Sequence, residues 1–140
     1  MAIVRFEGRK PPITISLSEK EALEKLADVW ALSQPEMADE LMAELDRADV
    51  VPDTNMRGNV VRMGSTLTYE ADTGEARTVT LVYPREADIA EGRISVLTPI
   101  GTALIGLSVG HSIEWQTRDG RKQLLTVTSV EQNEPSRAVS

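Results

Sequence analysis

Two apolar stripes at helical spacing, divided by a short break, constrain this chain more than any other feature. Leu23, Leu26, Ala27 and Trp30 set the first stripe, on a helix expected near 19–32. Ser33-Gln34-Pro35-Glu36 ends it and opens the next. Proline suits a first helical position because the N–H it lacks has no intrahelical partner there. Met37, Leu41, Leu45 and Ala48 then stripe a second helix near 35–49. So short a connection leaves only an antiparallel helical hairpin. Ser16 with Glu19, and Ser18 with Glu21, are each spaced for a capping box at the start of the first helix. Residues 1–15, interrupted by Pro11 and Pro12, read as irregular or briefly extended.

Length and charge limit what such a hairpin can do. A helix of ~14 residues rising ~1.5 Å per residue is about 20 Å long, short for a probe meant to enter a deep channel. Two helices this small cannot bury enough apolar surface by themselves, so the hairpin is expected to lean on the rest of the chain. Residues 19–49 hold ten acids and only Lys20, Lys25 and Arg47 as bases, a net −7 that equals the charge of the whole chain. The remaining residues balance at twelve acids and twelve bases. An acidic module repels nucleic-acid phosphate, and no dense basic patch occurs elsewhere, so direct DNA or RNA binding is not expected. A solvated helical surface accounts for the acidity without further function.

Past the loop signal Pro52-Asp53-Thr54-Asn55 the period changes to short β-rich runs. Val60-Val61 and Leu67-Thr68-Tyr69 read as strands, and Asp72-Thr73-Gly74-Glu75 as a hairpin turn. Arg77 to Tyr83 alternates, with Val79, Leu81 and Tyr83 on one side, and Ile94 to Leu97 reads as another strand. Thr98-Pro99 supplies an N-cap and a first-turn proline for a short helix from Ile100 to Ile105, stopped at Gly106. Strands at Ser112 to Gln116 and Leu124 to Val130 flank a turn at Arg118-Asp119-Gly120, and the polar tail from Glu131 is expected to fray.

Several chemistries are excluded by composition. With 41% apolar and 26% charged residues the chain reads as an ordinary soluble globule. There is no cysteine, hence no disulfide, thiolate zinc site or cysteine nucleophile, and one histidine cannot make a two-histidine metal motif. His111 lies in a turn without a motif partner and reads as a surface residue. Gly101, Gly106 and Gly110 fit neither a dinucleotide nor a P-loop spacing. No apolar run approaches the ~18 residues of a membrane span. Arg5, Glu7, Arg9 and Lys10 are not the pattern of a secretory signal, so a cytoplasmic location is expected.

The run Met63-Gly64-Ser65-Thr66-Leu67-Thr68, then Thr80-Leu81-Val82-Tyr83, then Ile94-Ser95-Val96-Leu97-Thr98-Pro99-Ile100-Gly101-Thr102-Ala103-Leu104-Ile105-Gly106 with Val109-Gly110, carries a resemblance. In order and spacing it resembles the C-terminal domain of the bacterial transcript-cleavage (Gre) elongation factors, over residues 60–132. The resemblance implies an FKBP-like fold, a twisted antiparallel sheet around one short helix. Glu40-Leu41-Met42-Ala43-Glu44-Leu45-Asp46-Arg47-Ala48, behind so short a hairpin, is similar to the Rnk branch of that family, whose N-terminal coiled coil is stunted. The expected architecture is α+β: a hairpin segment over 1–52 and a Gre-type sheet domain over 53–140. The implied partner is RNA polymerase, at the β′ rim of its secondary channel, in competition with Gre factors. No cofactor or resident metal is expected.

The resemblance also assigns candidate residues. In cleavage-competent Gre factors an Asp-x-x-Glu pair at the coiled-coil tip holds a second Mg²⁺ and positions the attacking water. Here that pattern reads Ser33-Gln34-Pro35-Glu36, so the first acid is a neutral hydroxyl, a poor Mg²⁺ ligand, and a non-catalytic role is expected. Glu36, Asp39 and Glu40 share a face of the second helix and form a substitute cluster, although acids in a first helical turn are favoured by the helix dipole without any chemistry. The family's polymerase-contacting loop corresponds to Leu97, Thr98 and Pro99, where Leu97 replaces the usual Asn or Asp. A cleavage factor acting through Glu36, Asp39 and Glu40, or an unrelated protein-interaction module, are the alternatives. Prolyl isomerase activity is rejected, because Phe6, Trp30, Tyr69, Tyr83 and Trp115 look too scattered to wall a pocket, and a fold does not transfer a function.

Overall fold

The computed structural model describes residues 11–116 and 120–132. Strand β1 (Thr14–Ser16) leads into helix α1 (Leu17–Trp30), which turns back as α2 (Pro35–Arg47) and ends in β2 (Asp49–Val51). Ser16 caps α1, its hydroxyl accepting from the Glu19 amide at 3.2 Å. Only this half of the first capping box forms. The Glu19 carboxylate turns away from the cap instead and accepts from the Met63 amide at 3.1 Å. The second box does not form, because Ser18 is already inside α1 and its amide donates to Asp53 Oδ1 at 3.0 Å. Pro35 opens α2 as expected, whereas Gln34 gives no side-chain cap.

The second helix stops earlier than its stripe suggests. Ala48 is already extended, and the chain enters β2, which pairs in parallel with β1 through Thr14–Asp49, Ile15–Val50 and Ser16–Val51. This short ladder closes the base of the hairpin. The rest of the chain folds as β3 (Thr66–Ala71), β4 (Ala76–Val82), β5 (Arg93–Ser95), α3 (Pro99–Leu104), β6 (Ser112–Gln116) and β7 (Lys122–Glu131). Five of these strands form one sheet in the order β5-β4-β3-β7-β6. Hydroxyl pairs Thr66–Thr80 and Thr68–Thr78, each at 2.8 Å, join β3 to β4 on one face.

Two expectations for the sheet need correction. It is mixed rather than antiparallel, since β5 runs parallel to β4. Tight turns at Pro84–Glu86 and Ile89–Glu91 reverse the chain, so that it re-enters the sheet in the direction of β4. Val60-Val61 is not a strand: Val60 makes a single bridge to Ser108, and Val61 exchanges backbone hydrogen bonds with Gly106 and Leu107. The expected turn residues Arg118 and Asp119, and the tail beyond Gln132, lie outside the described residues.

Leu23, Ala27, Leu41 and Leu45 from the hairpin belong to the same buried cluster as Leu67, Leu81, Leu104, Ile105 and Val127 from the sheet half. The hairpin therefore leans on the sheet half, as its size requires. Each fully buried leucine is worth about 1.5–3 kcal/mol of transfer free energy. Gly106 sits where the halves meet. Its φ of +82° is left-handed, and a Cβ there would lie 2.8 Å from Ile13 Cβ, so no other residue fits without displacing β1.

Candidate functional site

The corner between β5 and α3 is built from short-range hydrogen bonds that leave its backbone little freedom. The Leu97 amide donates to Ser95 Oγ at 2.9 Å, and Thr98 Oγ1 donates to the Ser95 carbonyl at 2.7 Å. The same Thr98 oxygen accepts from the Gly101 amide at 3.1 Å, completing the N-cap. Thr102 Oγ1 donates to the Val96 carbonyl at 2.7 Å from the first turn of α3. Helix and strand are pressed so close that a Cβ on Gly101 would stand 2.1 Å from the Ser95 carbonyl oxygen. Thr98 and Pro99 remain half-buried at the surface of this corner. Leu97 does not: it is 5% exposed and packs in the core. The side chain read as a contact residue from its position in the loop supports the corner from beneath.

Next to the corner, Ile100 joins Tyr69, Trp115 and Leu125 around a cavity of about 300 Å³, with Glu75 and Arg77 also lining it. Burial pushes the Tyr69 phenol above its ordinary pKa, so it stays a neutral donor. Trp30 and Tyr83 line a second depression, between α1 and the end of β4. The described aromatics thus line two depressions, Tyr69 and Trp115 one and Trp30 and Tyr83 the other; Phe6 lies outside the described residues.

At the far end of the hairpin, Ser33, Glu36, Asp39 and Glu40 are all exposed. With 14 residues in α1 and 13 in α2, the arm is about 20 Å long. Among the described residues no three His, Cys, Asp or Glu side chains converge closely enough to hold a metal ion. Glu36, Asp39 and Glu40 share an exposed face of α2 without forming a ligand cage.

Two residues have roles that local sequence did not show. Glu19 Oε2 is 3.7 Å from Arg62 Nε as well as accepting from the Met63 amide, which ties α1 to the loop ahead of β3. Its other oxygen, Oε1, is buried without a hydrogen-bond partner. Burial raises the Glu19 pKa, against the lowering effect of the Met63 amide and the Arg62 charge. His111 Nδ1 accepts from the Ser108 amide at 3.2 Å and pins the turn before β6. Glu19 reads locally as half a capping box, and its real partners lie more than forty positions away.

Two family models match successive stretches of the chain. Residues 56–132 match the family model of the transcription elongation factor GreA/GreB C-terminal region. Residues 11–51 match that of the Rnk N-terminus. Over 123 residues the chain is 37% identical to the regulator of nucleoside diphosphate kinase of Escherichia coli strain K12, covering 87% of this chain and 90% of that protein. Transcription elongation factor GreA of Beijerinckia indica is 35% identical over 107 residues, 76% of this chain and 68% of its own length. A solved GreA/GreB elongation factor from Nitrosomonas europaea is 39% identical and aligns with a TM-score of 0.70 over 87% of this chain and 99% of that one. No helix among the described residues is long and apolar enough to cross a membrane. The chain is a member of the GreA/GreB family of transcription factors, with an N-terminus of the Rnk type.

Proposed function

We propose that this protein is a cytoplasmic, non-catalytic regulator that binds RNA polymerase at the β′ rim of the secondary channel and competes there with Gre factors. The sheet half, residues 53–140, acts as the docking module with an FKBP-like layout of one short helix against a sheet. The hairpin, within 1–52, acts as a stunted coiled coil. The single observation that carries the reading is the Thr98-Pro99 corner: a hydrogen-bonded, glycine-packed surface step beside an aromatic cavity, inside the segment that matches GreA/GreB. A corner that is already rigid loses little conformational entropy on binding, which favours its use as a contact. Leu97 contributes through packing, and the partner meets Thr98 and Pro99.

The tip supports the absence of catalysis. Cleavage assistance of the kind drawn from the family pattern needs two carboxylates brought to the polymerase metal, and here Ser33 stands at the first position of an arm about 20 Å long. Retention of the chain by immobilised core RNA polymerase tests the binding step. Wild type is expected to be retained, and Thr98→Arg with Pro99→Ala to weaken retention by about tenfold or more, as loss of a central contact does. No retention of the folded wild-type chain at micromolar concentration would remove the proposal.

A further inference from the structure

A groove of about 540 Å³ runs between the outer face of α1 and the turn that follows β4. Its floor is apolar, made by Leu26, Trp30, Tyr83 and Pro84. That size is ordinary for a ligand-sized cleft. Val29, also in the lining, is 75% exposed, and Leu32 just beyond α1 is 97% exposed. Singly exposed apolar residues are common, but a run of them leading into an aromatic cleft is the form that interaction surfaces take.

The charges around the groove say what kind of segment fits. Of the three cations in the acidic hairpin, Lys20 is paired with Glu24 and Arg47 with Glu44. Lys25, the third, lines the groove and has no ion pair or hydrogen bond to another described residue. On the opposite wall Arg85 is likewise without one, and Glu86 is the single acid of the lining. Two cations and one acid thus line a groove between the hairpin, which carries the whole −7 charge, and the charge-balanced sheet half. A basic segment drawn in by the hairpin would meet two unpaired cations at the cleft itself. A segment dense in acids would be repelled by the helices around it. Carboxylates are accommodated only where Lys25 and Arg85 stand.

We infer that this groove is a docking site for a short amphipathic segment of a partner protein, with an apolar anchor seated between Trp30 and Tyr83 and flanking carboxylates held by Lys25 and Arg85. The site is separate from the Thr98-Pro99 corner and does not depend on the polymerase reading. Charge complementarity at the two rims sets specificity, and the aromatic floor supplies the contact area.

The test is a nuclear magnetic resonance titration of the full chain, following the indole N–H signals of Trp30 and Trp115. The probe is a synthetic peptide with a Leu-Phe anchor flanked by single aspartates, and its control has lysines in place of the aspartates. The acidic probe is expected to shift the Trp30 signal saturably below about 1 mM while the Trp115 signal stays. Lys25→Glu with Arg85→Glu, both at exposed positions, should weaken the acidic probe by about tenfold and strengthen the lysine control. An unmoved Trp30 signal, equal binding of both peptides, or an affinity unchanged in the double variant would each overturn the inference.

Discussion

The hairpin half carries ten carboxylates against three cations between 19 and 49, while the rest of the chain is balanced. The sheet half is held by continuous ladders, β4 to β3 to β7 to β6, and by a corner fixed through side-chain hydroxyls. The hairpin has only a three-residue parallel ladder at its base, a few buried residues, and ties from Ser18 and Glu19 to segments beyond it. One half is therefore tied mainly by its own hydrogen bonds. The other takes its position from its partner, and its tip is left exposed in water. A change in the length of such an arm alters its reach without touching the ladders of the sheet half.

The largest expected effects test whether the halves share one core. Leu41→Ala empties a fully buried site contributed by α2 and should cost about 3 kcal/mol. Because Leu41 packs in the common cluster, the fluorescence of Trp30 in the hairpin and of Trp115 in the sheet should be lost in one thermal transition at a lower temperature. Two separate transitions would show that the hairpin and the sheet do not share one core. Gly101→Ala should cost about 2 kcal/mol, because its Cβ meets backbone rather than a side chain that can swing aside. It should also reduce retention on polymerase, whereas the larger loss of stability at Leu41 should leave retention of the folded fraction unchanged.

A smaller effect concerns pH. Burial raises the Glu19 pKa in the folded chain, so the fold binds this proton more tightly than the unfolded chain does. Stability from this group is full below the ordinary glutamate value of about 4.3 and is lost as pH rises through the raised value. Glu19→Gln keeps an acceptor for the Met63 amide and removes the buried charge. Its melting temperature should exceed wild type at neutral pH and converge with it near pH 4. A Gln variant less stable than wild type at neutral pH would show that the Arg62 pair outweighs burial. Smallest of all, Glu36→Gln with Asp39→Asn and Glu40→Gln should change unfolding free energy by no more than about 0.5 kcal/mol and leave polymerase retention intact.

What could be read in the sequence was what short windows encode. Pro35 fixed the hairpin turn, and Thr98, Pro99 and Gly106 marked both ends of α3 within a residue or two. The alternation through Arg77 to Tyr83 located β4. The parallel β1–β2 ladder was invisible, because three residues carry no period and the partners lie some thirty-five positions apart. The direction of β5 depends on two tight turns rather than on its own residues. Leu97 stands at a position the family fills with Asn or Asp, yet its aliphatic side chain is driven inward at the strand-to-helix corner. Neither aromatic pair could be foreseen, since each joins side chains more than forty positions apart.

Whether the arm docks without cleaving is read from transcript length in backtracked elongation complexes supplied with Mg²⁺, with this protein added alone and then in excess over a Gre factor. A docked arm with one carboxylate at the family's paired position predicts an unchanged transcript in the first case and suppressed Gre cleavage in the second. Shortening of the transcript by this protein alone would contradict the account.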